Sequence, residues 1–234
     1  MSDITRRSLI TRGSAVAAGA VAGGGLLATP ASASEKTSGL TPGQALARLR
    51  AGNRRYVASR AAGPNRSRGR RVAQAEGQTP FASILSCSDS RVPPELVFDR
   101  GLGDLFIVRL AGNVTSPEGV GSLEFAAEEF GVPLIVVMGH EACGAVKATK
   151  TALEDPNFKA SENVGALAKS IAPSVEAAKK AGAKDIVESA INFNAKRQAR
   201  ILRQNPVLAP RIADGRLAIV SARYDLETGR VSFL

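Results

Sequence analysis

The sequence predicts an α/β fold in which helices flank a mostly parallel sheet. Four short, nearly continuous apolar runs have the composition of strands that are covered on both faces. They lie at 81–86, 105–108, 134–138 and 217–220. Helix-forming segments alternate with these runs, a pattern typical of parallel sheets. With 234 residues, 44% of them hydrophobic, the chain is long and apolar enough for one such domain and is not a disordered or fibrous sequence.

The first 33 residues resemble an export signal and are set apart from this domain. Arg6 and Arg7 precede a small-residue apolar stretch, and the Ala-Ser-Ala of 31–33 fits a cleavage site. This order resembles the bacterial twin-arginine signal, so we expect the twin-arginine machinery to export the protein to the periplasm or the cell exterior. The alternative is a basic amphipathic tail. The stretch is too short and glycine-rich for a stable membrane anchor, which leaves 34–234 as a single domain.

The first helix of the domain is predicted from its cap. Thr41 stands at the N-cap, Pro42 occupies the first helical position, and Gln44 follows three residues after the cap. A hydroxyl at the cap and a glutamine at this spacing form a capping box, and proline is favoured at the first position. We expect this helix to continue to about Val57.

Two further helical regions follow in the chain. Ser116 precedes a proline and opens a helix between the second and third apolar runs. Residues 151–203 are predicted to be mainly helical, with Ile186, Ala190 and Phe193 sharing one face.

The chain is basic, with 31 Lys and Arg residues against 21 Asp and Glu residues and a net charge of +10. Much of the excess lies between Arg54 and Arg71, where only Tyr56 is aromatic. Nucleic-acid-binding segments usually combine such charge with stacking aromatics. We therefore expect no nucleic-acid partner and interpret this segment as a solvated arm or a surface that packs on a partner subunit.

Candidate metal ligands follow two of the predicted strands. Cys87 comes directly after the first apolar run, and His140 and Cys143 follow the third. The carboxyl ends of parallel strands meet at one edge of a sheet, so these residues are expected to converge there. Two thiolates and one imidazole suit a single Zn²⁺ and leave a fourth position for water or substrate. The alternative is a disulfide between the cysteines, with the chain's one histidine in the core.

Asp89 and Arg91 lie beside the first candidate ligand. A carboxylate near a metal can accept a proton from a bound water molecule. The guanidinium of Arg91 can orient Asp89, keep it ionised and discourage it from closing the fourth position. The alternative is an ordinary salt bridge at a strand end.

At this point three segments of the sequence resemble the β-class carbonic anhydrases. They are Cys-Ser-Asp-Ser-Arg-Val-Pro at 87–93, Phe-Asp-Arg-Gly-Leu-Gly-Asp-Leu-Phe at 98–106 and Gly-His-Glu-Ala-Cys-Gly-Ala-Val at 139–146. The likeness extends from about residue 46 to residue 231. It implies a Rossmann-like sheet, a homodimer or larger homo-oligomer, and one Zn²⁺ per chain on Cys87, His140 and Cys143. It also implies a catalytic pair of Asp89 and Arg91, and reversible hydration of carbon dioxide by zinc-bound hydroxide.

The resemblance also implies substrate-binding residues. In that family a glutamine nine positions before the first cysteine reaches into the partner's substrate pocket, and Gln78 stands at that position here. Phe106 matches an apolar pocket wall, and Gly144 lies in the motif that follows the histidine. Many members have tyrosine where this chain has Phe125. One subgroup has a tryptophan at the position of Ile84, where it helps frame a bicarbonate that moves the aspartate onto zinc, so we expect Asp89 to stay with Arg91 at neutral pH.

Other functions remain open at this stage. Close relatives of that family hydrolyse carbonyl sulfide or carbon disulfide with the same metal ligands. A noncatalytic bicarbonate-binding or metal-binding module would also retain them, and the basic arm is compatible with binding to an anionic surface. If the protein hydrates carbon dioxide, no second histidine is available to export the proton, so the rate is expected to depend on buffer.

Overall fold

The computed structural model describes residues 37–234, and the predicted export signal at 1–33 lies outside them. Within this part of the chain one sheet has the strand order β2-β1-β3-β4-β5. The strands are β1 Ala82–Ser86, β2 Leu105–Arg109, β3 Leu134–His140, β4 Ala218–Tyr224 and β5 Val231–Phe233. The first four are mutually parallel and β5 pairs antiparallel with β4. The predicted α/β fold with a mostly parallel sheet is therefore confirmed, whereas β5 was not predicted.

The predicted helices are present, together with others that were not predicted. They are α1 Pro42–Val57, α2 Arg68–Ala73, α3 Pro94–Val97, α4 Pro117–Glu129, α5 Gly144–Glu154, α6 Glu162–Lys180, α7 Ile186–Arg203 and α8 Leu208–Ala213. The predicted capping box of α1 is present, because Thr41 Oγ1 accepts from the backbone N–H of Gln44 at 3.3 Å and Gln44 Oε1 accepts from that of Thr41 at 2.8 Å. Between residues 37 and 234 no helix is long and apolar enough to span a bilayer.

Helices cover the sheet on both faces, which explains the continuous apolar runs. Every residue of β1 and of β3 is buried. Successive side chains of a strand point to opposite faces, so neighbouring residues enter different cores. One core contains Ile84, Val136 and Met138 together with Leu49 of α1. The other contains Leu85, Ile135 and Val137 together with Leu123 of α4 and Leu202 of α7.

Helix α7 buries only part of the predicted face. Ile186 is partly buried against the core. Ala190 is buried, but the side chain of Phe193 is 37% exposed. The buried side of the helix contains two polar residues, Asn194 and Gln198, among apolar ones. The complete buried set is Ala190, Ile191, Asn194, Ala195, Gln198, Ala199 and Leu202. The prediction was wrong for Phe193 because it followed the large apolar side chains and did not consider buried amides.

Part of the arginine-rich segment packs against the chain's own loop after α3. The side chain of Asp99 is fully buried, and its carboxylate accepts a hydrogen bond from Arg55 Nε at 2.6 Å. It also accepts from the backbone N–H groups of Ala62 and Gly63, at 3.0 and 2.8 Å. A buried carboxylate with three donors is a stable anchor. The beginning of the segment is therefore fixed to the domain rather than being a free arm.

Candidate metal centre

The three candidate ligands meet at the carboxyl edge of the sheet. Ser86 pairs with Met138 in the register of β1 and β3, so the residues that follow these positions emerge side by side. Cys87 follows β1, His140 is the last residue of β3, and Cys143 caps α5. All three are buried, and their Sγ and imidazole nitrogen atoms lie within 4.8 Å of one another. The convergence expected from the strand order is therefore present.

The hydrogen bond that His140 makes leaves one nitrogen of its imidazole with a free lone pair. Its Nδ1 lies 2.8 Å from the backbone oxygen of Glu141. A carbonyl oxygen only accepts, so Nδ1 carries the proton and Nε2 keeps its lone pair. Nε2 is buried and has no hydrogen-bond partner among the described residues. A buried nitrogen lone pair beside two thiols fits a borderline-soft cation such as Zn²⁺.

The two cysteines are free thiols in this structure rather than the alternative disulfide. The pKa of Cys87 is lowered mainly because its sulfur accepts from the thiol of Cys143, with a further contribution from the backbone N–H of Gly112, although burial opposes the shift. The pKa of Cys143 is raised because its thiol donates to Cys87 and is itself buried. One thiolate and one thiol therefore share a proton, and a metal bound by both sulfurs would displace it.

Asp89 lies beside this cluster and is bound by Arg91. Arg91 Nε donates to Asp89 Oδ1 at 2.9 Å, and Nη2 donates to Oδ2 at 2.7 Å. The backbone N–H of Arg91 adds a third bond to Oδ1 at 3.0 Å. These side-chain bonds hold the pKa of Asp89 well below its usual range. Asp89 Oδ2 is 3.8 Å from His140 Nε2, so an ionised carboxylate borders the candidate metal position while Arg91 holds it.

A strained turn carries the chain from His140 to Cys143. Ala142 has a φ of 52°, a left-handed conformation that disfavours residues with a Cβ. Its backbone N–H donates to Glu188 Oε1 at 2.8 Å, and Arg223 Nη2 donates to Glu188 Oε2 at 2.7 Å. Glu188 therefore supports the turn that places the second thiol. This role was not predicted, because a glutamate in the first turn of a helix carries no distinguishing signal in the sequence.

Two residues at the end of β2 and just after it support Cys87 itself. Arg109, the last residue of β2, donates from Nε to the backbone oxygen of Cys87 at 3.0 Å and from Nη2 to that of Asp89. Gly112 lies in a short 3₁₀ helix, Ala111–Asn113, and its N–H donates to Cys87 Sγ at 3.3 Å. Neither role was predicted, although the run Arg-Leu-Ala-Gly-Asn at 109–113, at the end of an apolar strand, was an available signal.

The expected substrate-binding residues lie in different places. Gly144 is the first residue of α5, and no atom lies within 4 Å of the position that a Cβ would occupy there. Gln78 is exposed and precedes the amino end of β1, at the edge opposite Cys87. Phe106 pairs with Ser83, three positions before the strand end, and its ring lies 6.4 Å from that of Phe125. Within one chain, Gln78 and Phe106 are thus separated from the ligand cluster.

The comparisons with known proteins agree with this architecture. A family model described as carbonic anhydrase matches residues 82–231. Carbonic anhydrase 2 of Mycobacterium tuberculosis is 40% identical over 182 residues, which cover 78% of this chain and 87% of that protein. The carbonic anhydrase of Mycolicibacterium smegmatis is 39% identical over 183 residues, covering 78% and 88%. The crystallised Coccomyxa β-carbonic anhydrase in complex with acetazolamide aligns with a TM-score of 0.63 and 26% identity, over 81% of this chain and 86% of that one. This chain belongs to the β-class carbonic anhydrase family.

Proposed function

We propose that the protein catalyses the reversible hydration of carbon dioxide to bicarbonate and a proton, with one Zn²⁺ held by Cys87, His140 and Cys143. The observation that carries this proposal is the buried cluster of two sulfurs and one imidazole nitrogen next to an ionised carboxylate. Bound zinc supplies a Lewis acid that lowers the pKa of water from about 16 to about 7. Three protein ligands leave room for that water, as in other catalytic zinc sites.

The chain's own residues have separate roles in this proposal. Asp89 accepts a hydrogen bond from the reacting water at a carboxylate oxygen and so orients it, and Arg91 keeps that carboxylate ionised and oriented through its two side-chain bonds. Arg109 fixes the backbone of Cys87 and Asp89, so the ligand and the base keep their relative positions. Open space above Gly144 leaves room for a small substrate beside Cys143.

We further propose that the protein assembles as a homodimer or larger homo-oligomer. Phe125 is 51% exposed and belongs to an aromatic cluster with Phe106 and Phe130, whose rings lie 5.5 to 6.4 Å apart. Exposed aromatic clusters on a soluble domain are typical of interfaces. Burial of this cluster against a second copy would place Phe106 in an interface, from which it can contribute to a neighbouring substrate pocket. We propose the same role for Gln78, which is exposed.

Stopped-flow measurement of carbon dioxide hydration by the zinc-loaded protein tests the proposed activity. We expect fast hydration that increases with buffer concentration, because the chain's single histidine is buried among the ligands. Carbonyl sulfide and carbon disulfide serve as comparison substrates. Hydrolysis of these without carbon dioxide hydration would indicate a sulfur-substrate enzyme, and zinc binding without any turnover would indicate a binding module. A rate independent of buffer would contradict the expected route for the proton.

We also propose that the protein acts outside the inner membrane after twin-arginine export. The support is the order of Arg6, Arg7, the apolar stretch and the small residues of 31–33. We expect the double variant Arg6→Lys, Arg7→Lys to reduce the extracytoplasmic amount strongly and to leave the protein folded in the cytoplasm. Cell fractionation with immunodetection measures this. Unchanged export of the variant would contradict the proposal.

A further inference from the structure

Two buried amide side chains of α7 hold the loop that contacts Cys87. Asn194 Nδ2 donates to the backbone oxygen of Gly112 at 2.7 Å, and Asn194 Oδ1 accepts from Gln198 Nε2 at 3.0 Å. Gln198 Oε1 accepts from the hydroxyl of Thr115 at 2.7 Å and from its backbone N–H at 3.2 Å. The two amides therefore bind the loop at residue 112 and again at residue 115.

The orientation of both amides is fixed by their partners. The Gly112 oxygen only accepts, so the NH₂ group of Asn194 faces it and Oδ1 faces Gln198. The NH₂ group of Gln198 then faces Asn194, which leaves Oε1 for the two donors of Thr115. The side chains of Asn194 and Gln198 are 1% and 0% exposed. A buried amide without a hydrogen-bond partner costs free energy. Because each hydrogen bond in this series can run in only one direction, turning either amide would leave groups unpaired, so the arrangement resists change.

The loop between these contacts has a conformation that needs support. Gly112 has a φ of 70° and Asn113 a φ of 45°, two successive residues in the left-handed region. Glycine is favoured at the first of these because of the positive φ and because a Cβ there would lie 2.5 Å from Ile171 Cδ1, which would have to move. The N–H of the same Gly112 donates to Cys87 Sγ at 3.3 Å. The residue held by Asn194 is thus the one that contacts the sulfur.

We propose that Asn194 and Gln198 are positioning residues of the metal centre, which keep the Gly112 N–H directed at the sulfur of Cys87. The inference rests on the proposed function in so far as Cys87 is a metal ligand. An N–H donor stabilises negative charge on the sulfur and thereby sets how much charge the sulfur donates to a bound cation. Loss of this donor leaves the sulfur more electron-rich and free to move.

Cobalt substitution provides a direct test, because thiolate-to-cobalt charge-transfer absorption reports the charge on sulfur. Asn194→Leu has a similar volume but cannot donate to Gly112. We expect the charge-transfer band of the cobalt-substituted variant to move to lower energy, because the sulfur is more electron-rich. The affinity of the variant for zinc should fall by about 10- to 100-fold, because the sulfur is no longer held in place. The double variant Asn194→Leu, Gln198→Leu should show the same band shift as Asn194→Leu, because both residues act through one chain of bonds.

Leu202→Ala is the matched control for general damage to α7. Leu202 is buried on the same helix but packs in the core that contains Leu85, rather than against the metal-centre loop. This variant should be less stable while its cobalt band stays in place. An unshifted band in Asn194→Leu, or an equal shift in Leu202→Ala, would overturn the inference. If Asn194→Leu does not fold, Gln198→Leu replaces it, with a smaller shift expected and the same criteria.

Hydrogen exchange separates this inference from the proposed function. In the metal-free protein the Gly112 amide should exchange faster in Asn194→Leu than in the wild type. In Leu202→Ala the same amide should exchange at nearly the wild-type rate. If the wild type takes up neither cobalt nor zinc, the proposed function fails. The exchange rates then decide the positioning role alone: faster exchange in Asn194→Leu supports it, and equal exchange overturns it.

Discussion

Replacement of Asp89 by asparagine should lower carbon dioxide hydration by about 10²- to 10⁴-fold while zinc binding is retained. Asparagine has nearly the shape of aspartate, but it carries no charge and cannot accept a proton at neutral pH. Asp89 is not among the three converging ligands, so the metal position should be unaffected. Stopped-flow kinetics together with the zinc content per chain measure the two effects separately.

The chain offers a close control for this variant. Asp214 and Arg216 form another aspartate–arginine pair two residues apart, with Arg216 Nη2 2.8 Å from Asp214 Oδ2. Both side chains are more than half exposed, and the pair follows α8. Asp214→Asn should therefore leave hydration unchanged. Full activity in Asp89→Asn would favour an ordinary salt bridge over a role for Asp89 with the reacting water, and an equal loss in both variants would indicate a general electrostatic effect.

The converging ligands were predictable from sequence because parallel topology restricts where strands end. Cys87 and His140 lie 53 positions apart in the chain. Their strands are neighbours in the sheet, so both side chains emerge at the same edge. This prediction needed only the strand assignments and the rule that the carboxyl ends of parallel strands meet at one edge of a sheet. The helix caps of α1 and α4 were predictable for a similar reason, since a hydroxyl at the cap bonds locally.

The supporting residues were not predictable because their partners are distant and their chemistry is ordinary. Asn194 lies 82 positions from Gly112, and the sequence does not distinguish a buried asparagine from one on the surface. Glu188 supports Ala142 across 46 positions in the same way. β5 is an edge strand of three residues, which is too short for a strand periodicity to be recognised in the sequence. The two contacts of α7 depend on how that helix packs against distant turns of the chain, which composition does not specify.

Replacement of Cys143 by serine should reduce the zinc content from one per chain to almost none and abolish hydration. A serine hydroxyl is hard and remains protonated at neutral pH, so it is a poor substitute for a thiolate. Cys87 and His140 would then be the only strong donors of the cluster. Metal analysis after dialysis against a weak chelator measures the loss, and circular dichroism checks that the fold is kept.

Cys143→Ser and Asp89→Asn separate two functions of one site. The first should lose metal and activity together, whereas the second should lose activity and keep metal, because the ligands converge without help from the carboxylate. Chelation of the wild-type protein should reproduce the first result, and added zinc should restore the chelated wild type but not Cys143→Ser. If Cys143→Ser retains zinc and hydration, the cation must bind elsewhere. Within residues 37–234 the Cys87, His140 and Cys143 cluster is the one group of three or more such donors suited to an ion, so that result would refute the proposed centre as a whole.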